Sequence, residues 1–321
     1  MDMAEPSECC LVVLGSLNSK IADRSLDRNE VIPVQFVVGE KIEPIRFFND
    51  FGELGVSSMQ FFPEIDKMFF STGADLYVID INNHFFEELE VPGLVDVHEM
   101  STIGGSLWLA NTGRNEAIEI DPKRNGILSR KVLRGKQGDN ELDKFHCNQI
   151  FRDLDGVYWG LVHHVGGRQI VNVVRGKLVK SQGDGGLRSI FENETKNLRL
   201  NGPHTIRQIE GEYWVFSSGE QTIKRYDQNW VFIDSILTMG WGRGGEYCAN
   251  EGIYYSGISP IRKRYAGIVK ASTASTPQVE KIDVKNKCSI GSFEIPNVEQ
   301  INNIYSVPIR IVQSLQNIQV K

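Results

Sequence analysis

A phrase recurs along this chain, and it limits the folds open to it more than any other feature does. Three times a histidine stands just upstream of a strand-like stretch that turns through glycine and ends in tryptophan. The copies are VHEMSTIGGSLW around His98, FHCNQIFRDLDGVYW around His146 and PHTIRQIEGEYW around His204. Each continues as a second strand carrying the aromatic, a polar loop and a third strand: SLWLANT then AIEID, VYWGLVHH then QIVNVV, EYWVFSS then TIKRYD. Two more copies, without the histidine, cover 58–81 and 244–271. A unit this short cannot bury its own apolar face, so neighbouring copies must stack. Alternating apolar residues with Gly, Asn and Asp turns mark antiparallel hairpins. A fourth strand follows as GILSRKVL, KLVKSQ and VFIDSIL. Four strands in every roughly 40 to 55 residues predict the blades of a propeller.

The aligned aromatics Phe69, Trp108, Trp159, Trp214 and Tyr254 fall on the second strand of each copy, where bulk fills the space between blades. At the N-terminus CLVVLGS, VIPVQFVV and PIRFFN supply three strands with no first strand before them; INNIYSVPIRIV at the other end supplies it. Such closure removes exposed sheet edges. The expectation is an all-β, six-bladed β-propeller of four-stranded antiparallel blades. It forms a single domain over 1–321, its ring closed by the N- and C-terminal strands. No apolar stripe of helical spacing persists beyond two turns. The stretch 182–203 reads as irregular with one short helix over a face of the ring. The glycine-rich run 240–245 reads as a loop near the axis.

With 40% hydrophobic and 24% charged residues, the chain can bury a substantial core. Its net charge of −6 argues against nucleic acid or an anionic membrane as a partner held by charge. The basic group Arg130, Lys131, Arg134 and Lys136 reads as a solvated edge. Five cysteines, odd in number, without CxxC spacing and with Cys9 and Cys10 adjacent, read as free thiols in a reducing compartment. The start MDMAEPSECC has no basic segment followed by an apolar one, and no run approaches 18 apolar residues. A cytoplasmic protein with no membrane partner is expected. Walker, GxGxxG, GxSxG and HExxH motifs are absent.

In a propeller the first strand of each blade lines the channel, so His98, His146 and His204 should converge near its mouth. Gln60 holds the corresponding place on another blade. Three imidazoles and an amide oxygen suit one divalent metal ion, with Mn, Fe, Zn and Ca undistinguished. Arg243 would then bind a substrate anion, with Glu246, His163 or Glu99 as general base. A metal-free polar pocket, or histidines satisfied by neighbouring carbonyls, remain open alternatives. Strand alternation sends His163 and His164 to opposite faces, so one at most faces a site. His84 reads as a surface turn residue. Arg114, Arg168 and Arg262 recur in the loop after the second strand and form a candidate basic set for carboxylate, sulfate or phosphate, against the plain reading of solvated hairpin tips.

These phrases resemble those of a family of uncharacterised bacterial β-propeller proteins. The resemblance rests on His98 with Trp108–Thr112, on His204-Thr205-Ile206-Arg207 with Trp214–Ser217, and on Arg243-Gly244-Gly245, and covers most of 95–270. The architecture is distantly similar to the gluconolactonase, strictosidine-synthase and streptogramin-lyase propellers. The Glu, Asn and Asp metal ligands of gluconolactonase-like enzymes have no match here. A set of three His and one Gln is similar instead to the manganese site of oligogalacturonate lyases. The expectation is a metal-assisted lyase, hydrolase or isomerase acting on a polar or acidic small molecule, such as a sugar derivative. The other reading is a non-catalytic propeller that binds a protein or carbohydrate partner.

Overall fold

Short strands with one apolar side, joined by tight turns, build every sheet of the computed structural model. It describes residues 9–17, 26–39, 41–51, 55–133, 143–167, 172–174, 177–179, 184–261 and 274–318. Among these, six four-stranded antiparallel sheets form the blades of a β-propeller. Contacts group the chain into two units. Unit 1 holds Met1–Glu90, Arg243–Lys263 and Thr273–Lys321; unit 2 holds Val91–Gly242 and Arg264–Ser272.

In unit 1, β1 (Cys9–Ser16), β2 (Val34–Val38) and β3 (Lys41–Pro44) are joined by the last strand of the chain, β26 (Gln300–Pro308), in the order β26-β1-β2-β3. The two ends of the chain therefore share one blade, as the sequence predicts. Its neighbour in sequence is β4 (Ser58–Phe62), β5 (Lys67–Ser71), β6 (Leu76–Asp80) and β7 (Phe85–Leu89). A third blade is β22 (Trp241–Cys248), β23 (Ile253–Ser259), β24 (Gln278–Asp283) and β25 (Cys288–Glu294). Phe47, Phe48 and Phe70 meet edge to face in the core, with Val12, Met59 and Tyr305 around them.

Unit 2 holds three blades. The first is β8 (Val97–Ile103), β9 (Ser106–Asn111), β10 (Glu116–Asp121) and β11 (Gly126–Val132). The second contains β12 (Cys147–Arg152) and β13 (Tyr158–Val162). A separate hairpin, β14 (Asn172–Val174) and β15 (Lys177–Val179), precedes its outer strands β16 (Gly185–Ser189) and β17 (Thr195–Leu200). The third is β18 (Pro203–Ile209), β19 (Glu212–Ser217), β20 (Thr222–Tyr226) and β21 (Phe232–Leu237). Second strands are buried, while fourth strands such as β11, β21 and β25 are mostly exposed or half-buried. The five aligned aromatics all lie on second strands and are at most 2% exposed. Trp108 leans on Tyr158 of the next blade at 5.2 Å between ring centroids. Burying a side chain of this size contributes several kcal/mol per blade.

Several local expectations are corrected. PIRFFN is not the outer, fourth strand of its blade; that strand is Lys41–Pro44, and Arg46–Asp50 forms a 3-10 turn. Phe47 and Phe48 are buried together there. INNIYSVPIRIV is a strand only to Pro308. A short helix, α1 (Ile309–Gln316), follows and buries Ile311, Val312 and Leu315 on one side. QIVNVV and KLVKSQ do not complete the His146 blade: the parts described form the separate β14–β15 hairpin, and the third and fourth strands lie in the stretch expected to be irregular. Glycine disguised β16, because a Cβ on Gly186 would stand 2.1 Å from the Lys196 carbonyl oxygen. The run 240–245 is not a loop: from Trp241 it belongs to β22. Its glycines allow close packing, since a Cβ at Gly245 would meet the Tyr254 hydroxyl at 2.1 Å. The third strand of that blade is β24; the segment expected to form it, after Ile261, lies outside the described residues.

Cys10, Cys147 and Cys248 are buried free thiols and Cys288 is an exposed one. Among the described residues no helix is long and apolar enough to cross a membrane.

Candidate functional site

Each histidine-bearing blade of unit 2 breaks its register at the start of its first strand. The β8–β9 ladder slips between Val97 and Met100, β12–β13 between Cys147 and Gln149, and β18–β19 between His204 and Ile206. The β4–β5 ladder, which carries Gln60, runs without a slip from Ser58 to Phe62. A bulge puts two residues opposite one and re-aims the side chains around it. Positive φ values accompany it: 55° at Asp96, 50° at His146 and 40° at Thr205. Such angles are uncommon for non-glycine residues, and least expected for a β-branched threonine. The three histidines thus stand at matching places, at or just before the first strand, on locally distorted backbone.

The same geometry pins each ring by Nδ1. His98 Nδ1 lies 3.1 Å from the Asp96 carbonyl oxygen, two residues back. His204 Nδ1 lies 3.0 Å from the Gly202 carbonyl oxygen, again two residues back, and 3.0 Å from the Ser218 hydroxyl. Ser218 donates its own proton to the Gly242 carbonyl at 2.6 Å, so its oxygen is left to accept from His204. A carbonyl can only accept, so in both rings Nδ1 carries the proton and the neutral ring offers its lone pair at Nε2. His146 Nδ1 instead meets the Asp143 carboxylate at 2.7 Å.

The rings stand in a row. Centroids are 4.9 Å apart for His98 and His146, 4.4 Å for His146 and His163, and 5.3 Å for His163 and His204. Trp241 lies edge-on to His204 at 5.7 Å. Burial deepens along it: the His98 and His146 side chains are 17% and 21% exposed, whereas His204 is 4% exposed as a residue. His163 follows the end of β13 and joins this row; His164 hydrogen-bonds the Asp184 carboxylate at 2.8 Å through Nδ1. Glu99, next to His98 in sequence, is buried and accepts from Arg207 Nη1 at 2.8 Å and Thr205 Oγ1 at 3.1 Å. It is thereby an ion-pair partner between β8 and β18 rather than a base held in reserve. The bulged Ile206 N–H is satisfied by Gln149 Oε1 at 2.7 Å.

Gln60 lies on β4, and Arg243 and Glu246 on β22, all three half-buried and all in unit 1. Arg114 is exposed, its guanidinium against Gly93; Arg168 and Arg262 lie outside the described residues. His84 is exposed in a turn. Among the described residues no group of three or more His, Cys, Asp or Glu side chains is arranged to hold a metal ion. Sequence reasoning missed Asp143 and Ser218, and placed Trp241 near the axis only as part of a loop. A signal existed for the first: an acidic residue precedes His98 by two positions and His146 by three.

No protein-family model and no curated protein matches the chain. Solved structures do. A protein of unknown function from Bacteroides caccae aligns with a TM-score of 0.57 at 13% identity, over 94% of this chain and 99% of that one. A chain of a nidogen/laminin complex aligns at 0.59 and 7% identity, over 93% and 98%. A luciferin-regenerating enzyme aligns at 0.53 and 10% identity, over 77% and 78%. At these identities the likeness speaks for architecture alone, and on it the chain is similar to bacterial and other β-propeller proteins.

Proposed function

We propose that unit 2 carries a binding site for a polar small molecule at the entrances of β8, β12 and β18, and that the imidazole row performs acid–base chemistry there. One observation carries this reading: three blades deliver a histidine at matching places, each ring fixed through Nδ1 so that Nε2 is the proton-accepting edge. Fixing one ring nitrogen to orient the other is how proteins prepare imidazole for proton transfer. Lyase, hydrolase and isomerase reactions on sugar derivatives or related acids all need that step. The luciferin-regenerating enzyme shows that a propeller of similar architecture can serve an enzyme.

A divalent ion held by fewer than three of these rings is the second reading. It is favoured by the Nδ1 anchoring, which is the usual outer-shell arrangement of metal-bound histidine. A protein-binding role is a third, favoured by Val231, Phe232, Ile233 and Leu237, which lie exposed on or just before β21.

Saturation-transfer NMR with glucono-δ-lactone, gluconate and galacturonate as probes tests the first reading. Transfer to at least one probe, abolished by His204→Ala and by His98→Ala, supports it. No transfer to any probe, or transfer that both variants leave unchanged, overturns it. Metal analysis of untagged protein separates the second: near-stoichiometric metal that His146→Ala releases would replace the metal-free scheme.

A further inference from the structure

Two carboxylate–imidazole pairs flank His163 in unit 2: Asp143 with His146 at 2.7 Å, and Asp184 with His164 at 2.8 Å. Of the two partner rings, His146 lies directly in the row, against His98 at 4.9 Å and His163 at 4.4 Å. Its carboxylate stands at 2.7 Å, whereas His98 Nδ1 meets the Asp96 backbone carbonyl at 3.1 Å with that residue's carboxylate farther off at 3.5 Å, and His204 Nδ1 meets the Gly202 carbonyl and the Ser218 hydroxyl.

The geometry points to a division of labour in which His146 is the general base of the site and Asp143 the residue that positions it. Three observations meet at this ring. The backbone of His146 is held at φ 50°, a left-handed conformation that a non-glycine residue adopts at a cost and that here swings the ring out of strand alternation. The Asp143 carboxylate, only three residues earlier, accepts a hydrogen bond from Nδ1–H and so leaves the lone pair at Nε2. The side chain is partly open to solvent, unlike the buried His204 beside Trp241.

A carboxylate is the partner a base needs. When Nε2 takes a proton from a substrate C–H or O–H, the ring becomes a cation that keeps its Nδ1–H and its hydrogen bond to Asp143, so the new positive charge forms against an existing negative one. The proton passes on to the product or to water, and no oxidant or further reactant is required. His98 and His204, held through Nδ1, serve as hydrogen-bond acceptors for substrate hydroxyls.

This assignment rests on the row being a ligand site, but its test does not need the ligand. In protein labelled with 15N-histidine, two-bond 1H–15N correlations report which ring nitrogen carries the proton. Diethyl pyrocarbonate, followed by peptide mass spectrometry, reports how fast each unprotonated nitrogen is acylated. The wild type should show His146 as the Nδ1–H tautomer, acylated at Nε2. Asp143→Ala should move it to the Nε2–H tautomer and slow its acylation at least about tenfold, the ratio set by a tautomer preference of about 1.4 kcal/mol. Asp143→Glu should restore much of the rate, and Asp184→Ala should leave His146 unchanged. An Nε2–H His146 in the wild type, an unchanged ring in Asp143→Ala, or an equal effect from Asp184→Ala would overturn the assignment. Failure of the saturation-transfer experiment with these ring results intact would instead remove the ligand reading alone.

Discussion

Replacing Glu99 by alanine should destabilise unit 2 more than any surface change of equal size. Glu99 is 5% exposed and accepts from Arg207 at 2.8 Å and from Thr205 at 3.1 Å, reaching from β8 to β18. Removing one partner of a buried ion pair costs about 3–5 kcal/mol, because the other charge stays buried without its counterion. The Arg207 side chain is 17% exposed and keeps a hydrogen bond to the Ile206 carbonyl, which places the loss at the lower end. The Thr205 hydroxyl adds about 1 kcal/mol. The sum is about 3–4 kcal/mol, or a fall in melting temperature of about 6–16 °C at roughly 2–4 °C per kcal/mol. Calorimetry or circular dichroism on Glu99→Ala, Arg207→Met and the double variant would measure it. The double variant should be less destabilised than the sum of the singles by about 2 kcal/mol, since it leaves no orphaned charge. A fall below about 2 °C for Glu99→Ala, or strict additivity in the cycle, would show that the pair is solvated and that the reasoning is wrong.

Other perturbations have equally definite outcomes. Gly242→Ala places a Cβ 2.2 Å from the Phe216 ring and should cost about 1–3 kcal/mol in thermal melts. It should also disturb His204, because Ser218 bonds the Gly242 carbonyl. Arg225→Lys should cost about 1–2 kcal/mol in urea unfolding, since Arg225 grips Glu212 and Asp234 with paired hydrogen bonds that an ammonium cannot reproduce. Iodoacetamide at pH 8 should label Cys288 and spare Cys147, whose thiol burial pushes up to about 12 from 9.0. The sign for stability follows: the unfolded chain ionises that thiol first, so its contribution to stability falls as pH rises from about 9 towards 12.

The blade pattern was legible where turn residues set off each strand. β8 to β11 and β18 to β21 lie where the phrases place them, because their apolar stretches are set off by glycine and polar turns that the sequence itself displays. It was illegible where glycine or proline replaced side-chain pattern with close packing. β16 carries Gly185 and Gly186 where a neighbouring backbone passes within contact, so the real strand looked irregular and the inserted hairpin looked like a strand. At Pro308 and Arg46–Asp50 the same apolar letters turned into helical turns, because the available core lay on one side only.

By itself the sequence determined the repeat, the six blades, the shared terminal blade and the recurrence of a histidine at one place in three of them. These follow from periodicity, which is a local property of the chain. Tertiary structure decided what the histidines are. Bulges at Thr205 and its counterparts, the left-handed backbone of His146, and partners such as Ser218, Asp143 and the Gly242 carbonyl set ring orientation and tautomer. Several of those groups lie on other turns or blades, and a hydrogen bond's direction depends on positions that no local pattern encodes. The row of imidazoles that results, with a carboxylate behind one ring and carbonyls behind two others, exists only in the folded chain.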